Sequence, residues 1–381
     1  MTRDPNRWAT LPPASRTIPK MVLSETVVLD ALRVVQDPDL HRDIVTLGFV
    51  KHVTISGGHV AFTVELTTPA CPVKDVLRDQ AKAAVSALPG VTSVAVEMTA
   101  QVRAAGRPEA GRAPVDGVKN IIAVGAGKGG VGKTTVAVNL AVALAKAGSR
   151  VALLDADMYG PNVPIMLGFE KGLRLEQDEN KILPAERYGV QAVSMGFLTA
   201  DDAPVIWRGP MLHGAITQFF RDVKWAEVDY LIVDMPPGTG DVALSLSQTV
   251  PVAGAVVVTT PQTVSIADTR RAVKMYQKLN IPVIGVIENM SYFVCGGCGT
   301  ESDIFGKGGG EALALELGVP FLGSIPLSEP VRAGGDAGNP IVLSAPESPA
   351  AVALAAAAAR VAQQVSIASY ARKAIPLTPI N

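Results

Sequence analysis

The segment Gly127-Lys128-Gly129-Gly130-Val131-Gly132-Lys133-Thr134-Thr135 lies between an apolar run, Ile121 to Val124, and a stretch of helical apolar period. Four glycines let the backbone curl until its N–H groups face one anion, and the curl works only if a strand enters it and a helix leaves it. That order is the phosphate-binding unit of a parallel α/β sheet, in which the helix dipole favours phosphates at its start. The chain is therefore expected to bind a nucleoside triphosphate. Lys133 faces the β- and γ-phosphates, Thr134 gives its hydroxyl to Mg²⁺, and Thr135 begins the helix.

A chain of 381 residues, 48% hydrophobic and only 18% charged, exceeds one usual core and predicts two domains. Residues 1–21 read as a tail. Within 22–98, Ser24 caps a helix whose apolar face is Val27, Val28, Ala31, Leu32 and Val35, ended by Asp37-Pro38. Two strands, 49–55 and 59–67, then turn at Gly57-Gly58. A helix over 72–88 and a strand over 91–98 complete a small α+β unit. Residues 99–117 are rich in Gly, Pro, Ala and charge and read as a linker. From 118 to 381, strands at 121–124, 151–154, 230–233, 255–259, 283–287 and 321–323 alternate with helical stretches, the last over 348–365. The fold class is thus α/β: a mostly parallel sheet covered by helices, preceded by the small domain.

Asp155 and Asp157 follow one of these strands and Asp234 ends another, at the carboxyl edge where ligands bind in open α/β sheets. Cys295-Gly296-Gly297-Cys298 is the second chemical feature. With only Cys71 besides, an odd thiol count with one close pair points to metal or redox chemistry in a reducing compartment, hence the cytoplasm, and not to a disulfide framework. Two thiolates are half of a four-sulfur shell, which a symmetric dimer would complete for zinc or for a cluster. The redox reading is weaker, because the pair follows a strand and does not start a helix. Cys71 precedes Pro72 and is expected in the first turn of a helix, where the dipole would favour its thiolate. His41, His52, His59 and His213 show no ligand spacing. A net charge of -1 argues against nucleic acid, and no run of about eighteen uninterrupted apolar residues argues against a membrane span. The proline-broken C-terminus, 370–379, is a poor amphipathic anchor.

The extra lysine in the loop, Lys128, resembles the deviant Walker A family of P-loop ATPases. Residues 118 to about 345 resemble its Mrp/ApbC-type iron-sulfur cluster carriers, through that loop, Asp155-Ala156-Asp157-Met158-Tyr159-Gly160-Pro161-Asn162, Trp207-Arg208-Gly209-Pro210-Met211, Asp234 to Asp241 and the cysteine pair followed by Asp303-Ile304-Phe305-Gly306. Residues 22–98 resemble the MIP18-like small domain of iron-sulfur assembly, through Asp37-Pro38-Asp39 and Thr67-Thr68-Pro69-Ala70-Cys71-Pro72. The resemblance implies a homodimer that slowly hydrolyses ATP, with Lys128 reaching the partner's nucleotide and Asp157 orienting the attacking water. Asp155 would serve the Mg²⁺ hydration shell, Asp234 act as the Walker B acid, Gly238 sense the γ-phosphate and Asn289 read the adenine. It also implies a labile [4Fe-4S] cluster on Cys295 and Cys298, received from assembly scaffolds and passed to apo iron-sulfur proteins, with Cys71 assisting. Many members carry proline or a bulkier residue inside the cysteine pair, and here both positions are glycine. A positioning ATPase of the partition or septum-site type and a zinc-bridged metallochaperone NTPase are the alternatives.

Overall fold

The computed structural model describes residues 23–104, 112–158, 160–197, 209–238 and 240–371. The proposed tail, Tyr159, Trp207, Arg208, Thr239 and the last ten residues lie outside these. Among the described residues the main sheet has nine strands, seven of them parallel in the order Val190–Ser194, Val151–Asp155, Val228–Asp234, Val118–Ala126, Val252–Thr259, Val283–Val294 and Phe321–Leu327, with Ala185–Arg187 and Glu301–Ser302 added antiparallel. Val151–Asp155, Val228–Asp234 and Val252–Thr259 are buried along their whole length, as expected of strands covered on both faces. The phosphate-loop strand, Val118–Ala126, is central, and its helix Lys133–Lys146 buries Val136, Leu140 and Leu144 against one face. The C-terminal helix, Pro349–Ala371, lies beside it through Leu354, Ala358 and Val361. By length and composition this helix passes as a membrane span, yet those apolar residues are committed to the core. The opposite face is covered by helices including Gly209–Asp222 and Thr263–Lys278.

Residues 25–100 form the small α+β unit. Ser24 caps the helix Glu25–Leu32, its hydroxyl accepting from Val27 N–H at 3.4 Å. Strands Val50–Ser56 and His59–Leu66 make the hairpin, with Gly57 and Gly58 at φ 54° and 90° as the tight turn demands. Strand Ser93–Ala100 then runs parallel to His59–Leu66, joined by the helix Lys74–Ser86. This unit rests on the main sheet and the C-terminal helix: Tyr230 Oη donates to Thr68 Oγ1 at 3.1 Å, and from the helix Ser366 Oγ donates to Thr67 Oγ1 at 2.6 Å and Gln363 Nε2 to Asp39 Oδ1 at 2.5 Å.

Several expectations require correction. The strand Val190–Ser194 has no counterpart in the sequence reading, and the last helix is longer than 348–365. The first helix stops at Leu32, before Asp37-Pro38. The helix after Cys71 starts at Lys74, so Cys71 and Pro72 stand in the preceding turn, outside its first turn. The linker is anchored at both ends, since Val102 and Val115 are buried and the Asn120 amide donates to the Arg103 carbonyl at 3.0 Å.

Candidate functional site

The loop enters from Ala126 and closes at Gly132, whose φ of 81° is left-handed and open only to glycine without strain. A Cβ there would fall 2.3 Å from Asn289 Nδ2, so the loop is seated against the side chain beneath it. Asn289 Nδ2 donates to the Val131 carbonyl at 2.8 Å. Asparagine here braces the loop, which the sequence alone does not distinguish from adenine recognition or a cap.

Under the loop is a buried charge cluster. Lys133 Nζ donates to Asp234 Oδ1 at 2.6 Å, and Thr134 Oγ1 donates to Asp234 Oδ2 at 2.7 Å. The pairing of neighbouring parallel strands places Asp234 opposite Asp155. Asp155 Oδ1 accepts from Asp157 N–H at 3.1 Å, while its Oδ2 accepts from Val163 N–H at 3.2 Å and from Ser194 Oγ at 3.0 Å. Burial pushes the Asp155 carboxyl up to about 8, reinforced by the nearby Asp234 carboxylate. Burial raises Asp234 as well, while Lys133 and Thr134 pull it back. Two carboxyls confined in one dry pocket resist carrying two charges, and one lysine offsets only part of that cost.

A cavity of about 560 Å³ opens above this cluster. Its lining includes Lys128, Gly129, Gly130, Gly132, Lys133, Thr134, Thr135, Asp157 and Asn289, so most of the sequence-assigned nucleotide residues converge there. Asp155 is off that wall, fully buried, and holds the turn that carries Asp157. Gly238 is also off it; its N–H donates to the Ala126 carbonyl at 3.0 Å, tying the segment after Asp234 to the loop. Arg332 and Asp336 of the helix Glu329–Asp336 close the far wall and carry no motif that would have marked them. The hydroxyl of Thr134 beside the Asp234 carboxylate is the hard oxygen donor set that Mg²⁺ takes, so these residues fit that ion.

The cysteine pair forms the tip of a hairpin. Strand Val283–Val294 pairs antiparallel with Glu301–Ser302, and the turn closes through Cys295 N–H to the Thr300 carbonyl at 3.0 Å and Gly299 N–H to the Cys295 carbonyl at 2.8 Å. Cys295 is half-buried and Cys298 exposed. Cys298 Sγ lies 3.2 Å from Thr300 Oγ1. Hydrogen bonding from Thr300, and then from Cys295, lowers the Cys298 thiol below its ordinary range and favours the thiolate that binds metal. Among the described residues no group of three or more His, Cys, Asp or Glu is placed to hold a metal ion. Thr300 is a contributor that the Cys-x-x-Cys spacing does not reveal.

Cys71 lies on the face of the small unit that meets Gln363 and Ser366. Burial pushes its thiol up, against the expectation of a favoured thiolate. The physical reason is the late helix start: without a dipole end at Cys71, desolvation decides. Of the four histidines, His59 pairs with Ser93 through Nδ1 at 2.5 Å.

Comparison with known proteins agrees with this geometry. Residues 117–362 match the family of ParA/NUBPL iron-transfer P-loop NTPases, and residues 25–98 match the iron-sulfur cluster assembly protein family. An iron-sulfur cluster carrier protein from Synechocystis is 52% identical over 91% of this chain and 99% of its own length. Another carrier protein so named, from Deinococcus radiodurans, is 50% identical over 89% of this chain and 95% of its own. Among solved structures, a nucleotide-binding protein from Archaeoglobus fulgidus in complex with ADP is 36% identical, with a TM-score of 0.52, covering 59% of this chain and 88% of that one.

Proposed function

Because the chain belongs to the ParA/NUBPL iron-transfer P-loop NTPase family, we propose that it is an ATP-hydrolysing iron-sulfur cluster carrier that holds a labile [4Fe-4S] cluster between two copies of itself and delivers it to apo-proteins. The observation that carries this reading is the exposed two-thiol hairpin on the same chain as a complete phosphate site. Two hairpins related by a two-fold axis supply four thiolates, the usual shell of such a cluster. Ile304 and Phe305, 55% and 40% exposed beside the hairpin, offer apolar surface for a second copy to cover. An open, shared site suits cargo that must leave.

At the nucleotide site, bound triphosphate competes with Asp234 for the Lys133 ammonium, and the loop N–H groups and helix dipole hold the phosphates. Thr134, with Asp234 beside it, would hold Mg²⁺, which would supply neutralisation of phosphate charge there. Asp157 orients the attacking water on the turn fixed by Asp155, which acts from behind the cavity wall. Lys128 stabilises charge across the dimer, Gly238 responds to the γ-phosphate and Asn289 borders the adenine. Phosphoryl transfer needs chiefly such positioning and neutralisation. The ADP complex of the archaeal relative supports nucleotide binding in this fold. Hydrolysis is slow and times loading or release; the recipients are apo iron-sulfur proteins, the donors cytoplasmic assembly scaffolds.

The test is anaerobic reconstitution with ferrous iron and sulfide, followed by mixing with an apo-acceptor. A cluster spectrum that moves from carrier to acceptor is expected. Uptake of zinc alone, or of no metal, would contradict the carrier reading and favour a zinc-bridged or positioning ATPase.

A further inference from the structure

Strand Val283–Val294 touches both sites through adjacent residues. Asn289 faces the phosphate loop, as described, and Glu288 points away from it, as alternation along a strand requires. Glu288 is fully buried. Its Oε1 accepts from Ser291 Oγ at 2.5 Å and from Gly308 N–H at 2.8 Å, and its Oε2 accepts from Gly310 N–H at 2.5 Å. Ser291 lies just before the cysteine hairpin and Gly308 and Gly310 just after it. One carboxylate therefore clamps both stems of the segment that carries Cys295 and Cys298.

The clamp has little slack. A Cβ on Gly310 would lie 3.0 Å from both Glu288 Cβ and Thr259 Cγ2, so the returning chain is packed directly onto this side chain. A carboxylate is also the one side chain that suits three converging donors, because it only accepts. The intervening residue adds a second link. Met290 has a φ of 54°, in the left-handed region that a long side chain rarely occupies, and the pairing with Phe321–Leu327 shifts register between Asn289 and Phe293. Met290 lines the nucleotide cavity, its terminal carbon 3.7 Å from the position of a Cβ on Gly132.

We propose that Glu288 is the positioning residue of the cysteine hairpin and that, through Asn289 and Met290, it ties the hairpin's geometry to occupancy of the phosphate loop. The inference rests on the reading of Cys295 and Cys298 as the cluster ligands, but its first test needs no cluster. In the full-length reduced protein, iodoacetamide alkylation of Cys295 and Cys298 is followed by peptide mass spectrometry with and without Mg²⁺ and ATP. ATP affinity and thermal midpoint are measured in parallel. The wild type is expected to change its alkylation rates on nucleotide binding. Glu288→Gln, which sets an amide NH₂ against an N–H donor, should keep ATP affinity yet lose that nucleotide response. Its reconstituted cluster should be lost to a chelator about tenfold faster, the effect of one lost hydrogen bond to a charged acceptor. Ser291→Ala removes a single donor with little risk to folding and should shift both readouts the same way, by less.

Nucleotide-dependent alkylation that survives in both variants overturns the proposal, as does a wild type whose alkylation ignores nucleotide. A wild type that binds no cluster, yet shows the nucleotide response and loses it in Glu288→Gln, refutes the carrier reading while supporting the clamp.

Discussion

Around the phosphate loop the buried charges meet partners inside the chain: Lys133 binds Asp234 at 2.6 Å in a buried pair, and Asp155 receives three hydrogen bonds in full burial. Around Cys295 and Cys298 the opposite holds. One sulfur is half-buried and the other exposed, and the only side-chain partner of Cys298 outside the pair is Thr300 among the described residues. The phosphate site is prearranged in low dielectric, where fixed donors act strongly on transferring charge. The hairpin is left open, which suits the proposed function, in which the ligand shell is shared between two copies and the cargo departs. Strand Val283–Val294 bears both, so the contrast arises within a few residues of one element.

Four perturbations break or sharpen that contrast. Replacing both Cys295 and Cys298 by alanine should remove all reconstituted iron and leave ATP binding unchanged; iron measured by colorimetric assay together with nucleotide titration decides this. Lys133→Ala should do the reverse, lowering ATP turnover by about 10²-fold or more while the cluster still assembles. Retained turnover would remove the phosphate assignment. Asp157→Ala should keep nucleotide affinity and lower turnover by at least about 10²-fold, as expected for loss of a group that orients the nucleophile. The smallest effect is a pH difference between thiols. Hydrogen bonding lowers the Cys298 thiol and burial raises that of Cys71, so alkylation of Cys298 should reach its half-maximal rate at lower pH. Coincident pH profiles would show that the two sulfurs share one environment.

The central strands were legible because a parallel strand buried on both faces reads as an unbroken apolar run, as Tyr230-Leu231-Ile232-Val233 does. Val190-Gln191-Ala192-Val193-Ser194 escaped because Gln191 and Ser194 interrupt the run, and its place beside Val151–Asp155 depends on pairing with distant residues. The phosphate loop was readable because its chemistry is encoded in consecutive residues. The settings of Cys71 and Glu288 were not: one depends on Gln363 and Ser366 nearly three hundred positions away, the other on donors from both ends of a folded-back hairpin. An acidic residue inside an otherwise apolar strand, as in Val286-Ile287-Glu288, was the available signal.

The most direct test of a shared cluster is native mass spectrometry of the anaerobically reconstituted protein, which weighs chain and cargo together. The account predicts a dimer carrying a single four-iron, four-sulfide cluster that disappears, along with the cluster-dependent part of the dimer, when Cys295 and Cys298 are replaced. A monomer that carries the intact cluster, or a dimer that retains it without those two cysteines, would contradict it.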